Sequence, residues 1–383
     1  MPTTTSPAAL IETHFGSLRD PRATHSILHK LMDILVITIC AVICGADNFV
    51  EIAEYGREKE EWLKTFLELA NGIPSVDTFE RLFGRLKPEA LQICFISWME
   101  AVNERTNGEF INVDGKTLRG AKEAGNKRSL IHMVSVWSAS QHLVLGQKKV
   151  GEKSNEITAI PSLLTMLSLR GCIVSIDAMG CQTEIANTII EQGADYVLAL
   201  KGNQGNLHED VQELFTLARE QNFKNIEHKF YETVEKGHGR MENRRYWTMD
   251  NTEHLIGAEK WKGLKSVGMV ESQRTVNGVT STEYRYYLLS LENDVHKFAE
   301  SVRNHWSIEN QLHWILDVGF NEDASKCCQG YSAENLAVIR HIGLNLLSRD
   351  KKTKVGVKAK RLKAGWNNNY LKTILETLNI VIA

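Results

Sequence analysis

Hydrophobic residues recur at helical spacing through the first 105 residues of the chain. A mostly apolar stretch at 27–46 leads into a segment where Phe49, Ile52 and Ala53 lie on one helical face. The segment GIPSVDTFERLFGRL then supplies a turn, a capping Ser or Asp and a short amphipathic helix. We therefore predict a helical N-terminal domain over 1–105. Its last short helices resemble a DNA-reading helix-turn-helix, although such units are also common in ordinary helical bundles.

The pattern changes to strands from about residue 107. EFINVD, SLIHMVSVWSA and HLVLGQKKV are rich in Val and Ile and are separated by short turns. A helix (EITAIPSLLTMLS), a short strand (CIVSID), a second helix (TEIANTIIEQG) and a further strand (DYVLALK) follow. The order β-β-β-α-β-α-β predicts an α/β fold with a ribonuclease-H-like core over 106–204. In that core the first and fourth strands lie side by side.

The alternation of strands and helices stops after DYVLALK. Two predicted hairpins follow, the second turning at Asn277-Gly278, and we interpret 205–292 as a β-rich insertion. Val295–Leu316 is then predicted as one amphipathic helix that returns the chain to the core, whose second part covers 293–348. A basic helical segment, 349–383, ends the chain.

Composition and charge favour a globular protein of the cytoplasm. The longest apolar run, at 34–46, is too short to cross a bilayer, and no leader sequence opens the chain. The seven cysteines include no CxxC pair, which argues against structural zinc and disulfides. Although the net charge is −2, ten basic residues against two acidic ones follow from Arg340 onward. The cluster at 349–365 is a phosphate-binding candidate or, equally, a solvated basic tail.

Two aspartates end neighbouring strands of the predicted core. Asp114 ends the first strand and Asp177 ends the fourth. Taken singly, an aspartate at the end of a strand is more often a turn former or a helix cap than a ligand. Because adjacent strand ends meet at one edge of a sheet, the two carboxylates are expected to lie within reach of one cation.

A third carboxylate, Glu309, lies on the predicted helix of 295–316. At 100° per residue it falls within the apolar stripe, with His305 and His313 one turn away on either side. An ionised Glu on such a face needs a cation or a hydrogen-bonded partner. One alternative is that the two histidines neutralise Glu309. A second is that His305–Glu309–His313 is a zinc triad, but this order lacks HExxH and leaves the aspartates unexplained.

Three oxygen-donor carboxylates suit magnesium or manganese. Two such ions can activate an attacking oxygen and stabilise a leaving oxygen during phosphodiester chemistry. With water as nucleophile the product is a cut strand, and with a 3′-hydroxyl it is a joined strand. The sequence therefore predicts metal-dependent cleavage and transfer of DNA strands.

Five motifs resemble those of H-repeat-associated (Rhs-element-linked) insertion-sequence transposases of the DDE class, which carry a β-rich insertion. They are DGKTLRGA, VSIDAMGCQTEIA, DYVLALKGNQ, GHGRMENRR and HWSIENQLHWILDVGFNEDASK, and the resemblance covers nearly the whole chain. It implies that Asp114, Asp177 and Glu309 form the DDE triad and bind Mg²⁺ or Mn²⁺, as two ions. The implied partners are the terminal inverted repeats of the protein's own element and target DNA, bound by a homodimer at the nucleoid. A derivative that binds DNA without catalysis is the alternative.

The resemblance also suggests residues that contact DNA. Many members of the wider class carry Tyr, Arg and Lys around the third acid, where this chain has Val302, His305 and Leu316. The family's motifs also include His238. The candidates for contact with DNA are Lys201, Asn203, Arg240, Arg244, Arg303 and His305.

Overall fold

The N-terminal part is helical, as the hydrophobic spacing predicts. The computed structural model describes residues 7–102, 108–123, 126–151, 156–224, 226–237 and 240–377. Its first six helices are α1 (Pro7–Phe15), α2 (Leu31–Ile43), α3 (Phe49–Glu58), α4 (Glu60–Leu63), α5 (Val76–Arg85) and α6 (Pro88–Val102). The apolar helix α2 is buried on all sides from Asp33 onward, as expected for a helix enclosed by others. No helix of the described ranges is long and apolar enough to span a bilayer.

One mixed sheet forms the centre of the molecule. Its first five strands are β1 (Phe110–Glu123), β2 (Asn126–Ser138), β3 (Leu143–Lys149), β4 (Ile173–Ile176) and β5 (Asp195–Leu200). They lie in the order β3-β2-β1-β4-β5, with β1 antiparallel to β2 and parallel to β4. This is the strand order of a ribonuclease-H-like core, and the predicted contact between the first and fourth strands is confirmed. Helices α7 (Glu156–Leu164) and α8 (Thr183–Glu191) connect the last three strands.

The segment 205–292 extends the same sheet. It begins with a helix that the sequence pattern did not predict, α9 (Asn206–Glu220), and continues as β6 (Lys229–Gly237), β7 (Arg240–Met249), β8 (Ser266–Val276) and β9 (Val279–Leu289). The four strands form two hairpins, and β9 pairs antiparallel with β5, so that nine strands make one sheet. The second hairpin turns at Asn277-Gly278 as predicted, and both residues have positive φ, which suits a two-residue turn.

The prediction of one regular helix over 295–316 is wrong, because a π-helical segment interrupts it. The structure has an α-helix, α10 (Val295–Ser307), a π-helical segment at Ile308–His313, and a second α-helix, α11 (Trp314–Phe320). The side chain of Asp294 caps α10 by accepting hydrogen bonds from the backbone amides of the first turn. Because a π-helical turn holds more residues than an α-helical turn, the 100° spacing used for the prediction does not give the orientation of Glu309, although Leu312 and Leu316 are buried as predicted.

The C-terminal part changes the interpretation of the basic cluster at 349–365. Helix α12 (Ser332–Arg349) is buried and packs against α2, followed by α13 (Val357–Trp366) and α14 (Asn368–Glu376). Lys360 is buried and donates to the carbonyl oxygens of Leu347 and Asp350 at the end of α12. Arg361 is buried and donates to carbonyl oxygens at the C-terminal ends of α2 and α11. These two cations satisfy helix ends that lack intrahelical partners, and they are not available to phosphate.

Candidate active site

The strand register puts two aspartates at one edge of the sheet. Pairing between β1 and β4 ends at Val113 and Ile176, and Asp114 and Asp177 are the next residues. Asp177 directly follows β4, as predicted. The prediction that Asp114 ends the first strand is wrong, because β1 continues to Glu123 through its pairing with β2. Asp177 Oδ1 also accepts hydrogen bonds from the amides of two residues in the following turn, at 3.1 and 3.2 Å. Asp177 therefore stabilises the turn after β4 and also lies beside Asp114.

Asp114 is the most perturbed carboxyl group of this edge. Burial raises the pKa of Asp114 to about 7, and the negative charge of Asp177 is the next cause. The charges of Glu309 and Glu156 raise this pKa further, while a hydrogen bond from the Gly115 amide opposes the shift. Four carboxylates thus act on one another at this edge, an arrangement that a cation would stabilise.

Glu309 lies in the π-helical segment and not within the buried stripe. The residues of that stripe are buried as predicted: Phe298, Val302, Ile308, Leu312 and Leu316. Glu309 itself is exposed, so the expectation of an acid on the core-facing side is wrong. With Asp177 it lines a pocket of about 210 Å³. π-Helical turns often mark functional sites, because the extra residue re-aims side chains relative to a regular helix.

The two histidines near Glu309 contact other groups. His305 Nδ1 lies 3.0 Å from Ser175 Oγ, and His313 Nδ1 lies 3.5 Å from Asp114 Oδ2. Burial lowers the pKa of each histidine to about 4, so both rings are neutral at pH 7. Neutral rings do not balance the charge of Glu309. Within the described ranges, no three Asp, Glu, His or Cys side chains converge closely enough to hold a metal ion as they stand, and this includes the alternative zinc triad His305–Glu309–His313.

A buried polar network fixes His305 beneath the pocket. Asn112 donates its amide hydrogens to the Asn304 carbonyl and to Ser307 Oγ, so its Oδ1 accepts from the Ser175 hydroxyl at 2.8 Å. Since that hydroxyl hydrogen is used, Ser175 Oγ accepts from His305, whose Nδ1 must carry the ring hydrogen. The ring is uncharged and so lacks the charge expected of a phosphate contact. The network instead holds α10 against β1 and β4.

Cationic side chains surround the same pocket. Lys201, at the end of β5, lines it, as does Arg285 of β9, whose guanidinium carbon lies 5.0 Å from the centre of the Trp306 ring. Asn203 donates to the carbonyl oxygen of Ala178 at 2.9 Å and so ties the loop after β5 to the turn of Asp177. The sequence pattern did not identify Arg285, because its position depends on the pairing of β9 with β5.

The other DNA-contact candidates lie on or beside the first hairpin. Arg303 of α10 forms an ion pair with Glu235 of β6, and Arg244 of β7 pairs with Glu235 and Glu242. Arg240 is exposed at the hairpin end, and His238 lies outside the described residues. Arg303 therefore joins the hairpin to α10, whereas Arg244 pairs within the hairpin.

Glu156, at the start of α7, is a residue of this edge that sequence reasoning missed. A Cβ atom built on Gly115 would lie 2.1 Å from Glu156 Oε1, so the glycine permits the carboxylate to pack directly against β1. Burial raises the pKa of Glu156, and the charge of Asp177 adds to the shift. The one available signal was the Gly that directly follows Asp114, since a Gly within a strand often marks a close approach by another group.

Lys116 supports the edge from the core side of β1. Its ammonium group donates to Asp317 of α11 and, at 2.9 Å, to buried Glu322. The charges of Lys116 and Arg340 lower the pKa of Glu322, although burial alone would raise it. This ion pair fixes the chain that follows Glu309 to the strand that carries Asp114.

Two carboxylates where the pairing of neighbouring strands ends in a ribonuclease-H-like sheet, with another on a nearby helical segment, are typical of DDE nucleic-acid-processing proteins. A family model described as "Transposase DDE domain" matches residues 106–346, and one described as "DDE_Tnp_1-associated" matches residues 12–99. The chain belongs to this family of DDE transposases, the insertion-sequence proteins that its motifs resemble.

Two relatives are similar over nearly the full length. "H repeat-associated putative transposase YhhI" of Escherichia coli K12 is 42% identical over 94% of this chain and 96% of its own. "Putative transposase YncI" of Escherichia coli O157:H7 is 44% identical over 94% of this chain and 93% of its own. Among solved structures, a piggyBac transposase synaptic complex with hairpin DNA matches 96% of this chain and 81% of its own, with 9% identity and a TM-score of 0.44.

Proposed function

We propose that this protein is an active DDE transposase that cuts and joins DNA strands at the ends of its own insertion sequence. The observation that carries the proposal is the pairing of β1 with β4, which brings Asp114 beside Asp177, together with the pocket that Asp177 shares with Glu309. The raised pKa of Asp114, caused by burial and by the charges of Asp177, Glu309 and Glu156, supports it. Crowded carboxylates of this kind destabilise a protein unless they serve a ligand, and the ligand that suits them is a divalent cation.

The donor set fits magnesium or manganese. Asp114, Asp177 and Glu309 would hold the ions, and Glu156 is a further oxygen donor at the same edge. Because the described acids do not converge as they stand, they must approach one another when a cation binds. Two ions held there would activate the attacking oxygen and stabilise the leaving oxygen of the phosphodiester.

The chain's own residues position the DNA strand. Lys201 and Arg285 line the pocket beside the acids. Arg285 is paired with Glu283, so among the described residues of the pocket Lys201 supplies the unpaired positive charge where a phosphate would otherwise be repelled. Attack of water on phosphorus breaks the P–O3′ bond and leaves a 3′-hydroxyl and a 5′-phosphate. Attack of that 3′-hydroxyl on a phosphorus of a second duplex forms a new P–O bond and releases the 3′-hydroxyl of the target strand. One site serves both steps, since only the nucleophile differs.

The expected partners are the terminal inverted repeats of the element and target DNA. The exposed lysines of 349–365, among them Lys351, Lys354 and Lys358, are available to phosphate, as are Arg81 and Arg85 on the exposed side of α5. Joining two element ends requires two protein copies on DNA, so we expect a homodimer in the complex and a nucleoid location in the cell.

Strand cleavage on a duplex that carries an element end tests the proposal. Wild-type protein should nick or excise that DNA when Mg²⁺ is present, and Asp177→Asn should not. Asp250→Asn, a change of the same chemistry at an exposed loop residue, is the matched control and should cut like the wild type. Specific binding without cleavage by wild-type protein would favour the catalytically inactive DNA-binding alternative.

A further inference from the structure

His313 stands between the candidate active site and the protein core. It is the last residue of the π-helical segment, and its Nδ1 lies 3.5 Å from Asp114 Oδ2. The side chain is 13% exposed. Its other ring nitrogen, Nε2, is buried and has no hydrogen-bond partner among the described residues. A buried polar atom without a partner is costly, so this nitrogen calls for an explanation.

A small cavity lies against His313 on the core side. Its volume is about 10 Å³, close to the space that one water molecule needs. Gln147, Glu322 and His341 also line it. Each of these three, like His313, has one buried polar atom without a hydrogen-bond partner in the described structure: Gln147 Oε1, Glu322 Oε1 and His341 Nδ1. Glu322 Oε1 lies 3.8 Å from the guanidinium group of Arg340, too far for a hydrogen bond. A one-water cavity bordered by unpaired polar atoms is the setting in which proteins bind structural water.

The charge states decide which way the hydrogens point. The ring of His313 is largely buried, and burial disfavours the charged imidazolium form. A neutral imidazole has one N–H donor and one acceptor nitrogen. When Asp114 is ionised, the nitrogen that faces it must be the donor. Nε2 is then an acceptor and requires a hydrogen from the cavity.

We propose that one buried water fills this cavity and donates to His313 Nε2, which fixes His313 as the Nδ1–H tautomer aimed at Asp114. The water donates its second hydrogen to Glu322, the charged acceptor, and accepts one from His341 Nδ1–H. His313 is thereby a positioning residue for the first acid of the triad. Histidines and carboxylates behind metal ligands commonly orient those ligands in this way. The inference on metal binding rests on the proposed function, but the tautomer does not.

The tautomer can be measured without metal or DNA. In ¹⁵N-histidine-labelled protein at about pH 9, where carboxyl groups are ionised, NMR shifts distinguish a protonated ring nitrogen from an unprotonated one. The His313 signals, among those of 13 histidines, are identified by their loss in His313→Asn. We expect a protonated Nδ1 and an unprotonated Nε2, with one ordered water in the cavity of a crystal structure. A protonated Nε2, or a dry cavity, would overturn the proposal.

Three substitutions test the positioning role through Mn²⁺ affinity, measured by calorimetry with the metal alone. Asn places its amide near the position of Nδ1, Gln places it near Nε2, and Phe fills the space without a polar atom. His313→Phe and His313→Gln should bind Mn²⁺ ~10-fold more weakly or worse, and His313→Asn should recover most of the loss. Equal affinity in all three variants, or better recovery by Gln, contradicts the role.

Two controls separate this inference from the proposed function. Urea unfolding of the three variants establishes that each is folded at the temperature of the binding measurement. Asp177→Asn must weaken Mn²⁺ binding if the acids hold the ion. If it does not, the metal site itself is refuted, while the NMR result still decides the tautomer of His313.

Discussion

Raising the pH should destabilise the metal-free protein through Asp114. Its pKa of about 7 in the folded chain lies well above its ordinary value of 3.8, because burial and neighbouring acids oppose its ionisation. Between these values the folded protein retains a proton that the unfolded chain has lost, so stability falls as the pH rises. The loss begins near the ordinary pKa and is complete above the folded one. Its full size is ~4 kcal/mol.

Replacing Asp114 by Asn removes the titration and retains a polar side chain of similar shape. The free energy of unfolding in urea, with EDTA present, should be measured for both proteins at pH 5 and at pH 8. The stability of Asp114→Asn relative to wild type should therefore be greater at pH 8 than at pH 5. The expected change in that difference is ~2–3 kcal/mol, because part of the loss has already occurred at pH 5. The same comparison with Asp250→Asn, at an exposed position, should give no such change.

Metal binding provides a second measurement of the proton on the Asp114 carboxyl group. Calorimetry in buffers of different ionisation enthalpy should find that Mn²⁺ displaces close to one proton at pH 6 and almost none at pH 9. Two results together would refute the reasoning. The difference in the free energy of unfolding between wild type and Asp114→Asn would be constant with pH, and Mn²⁺ binding would release no proton at pH 6. The charge of Asp114 would then be unaffected by its neighbours.

Three further predictions concern residues outside the triad. Glu156→Gln should weaken Mn²⁺ binding, measured by calorimetry. Gly115→Ala should also weaken it, with little change in the free energy of unfolding in urea, because the added Cβ displaces only the end of a flexible side chain. Unchanged Mn²⁺ affinity in both variants would show that the Glu156 carboxylate does not belong to the site. Arg361→Met should cost ~3–5 kcal/mol in urea unfolding, since it leaves the buried carbonyls at the ends of α2 and α11 unpaired, whereas the exposed neighbour Lys358→Met should cost little. Lys351→Ala should reduce the slope of log DNA affinity against log salt by ~1 if this exposed lysine contacts phosphate, and an unchanged slope would place the contact elsewhere.

Local patterns in the sequence were sufficient for the core. Alternating Val and Ile residues mark β1 to β3, a short buried run marks β4, and the parallel pairing of β1 with β4 follows from the order of the elements. That pairing brings Asp114 beside Asp177. Both inferences depend on periodicity and on chain connectivity, which a single sequence carries.

Contacts between distant segments could not be predicted in this way. The pairing of β9 with β5, which brings Arg285 to the pocket, joins residues about ninety positions apart that share no local signal. The approach of Glu156 to Gly115 is of the same kind. The π-helical segment also escaped prediction, because the regular spacing assumed for Glu309 holds only while each turn has the same number of residues.

The basic C-terminal cluster illustrates a different failure. Counting charge treats each Lys and Arg as solvated, but the buried Lys360 and Arg361 bind carbonyl oxygens at helix ends. Which cations are buried depends on how α13 packs against α2, α11 and α12, and composition does not contain that information.

The central claim is that the acids of this sheet edge and the π-helical segment cut DNA with a bound cation. Its most direct test is Mg²⁺-dependent cleavage of duplex DNA carrying the element's end, comparing wild type with Asp177→Asn and Asp250→Asn. The account predicts cleaved product from wild type and Asp250→Asn, and none from Asp177→Asn. Equal cleavage by all three proteins would contradict it.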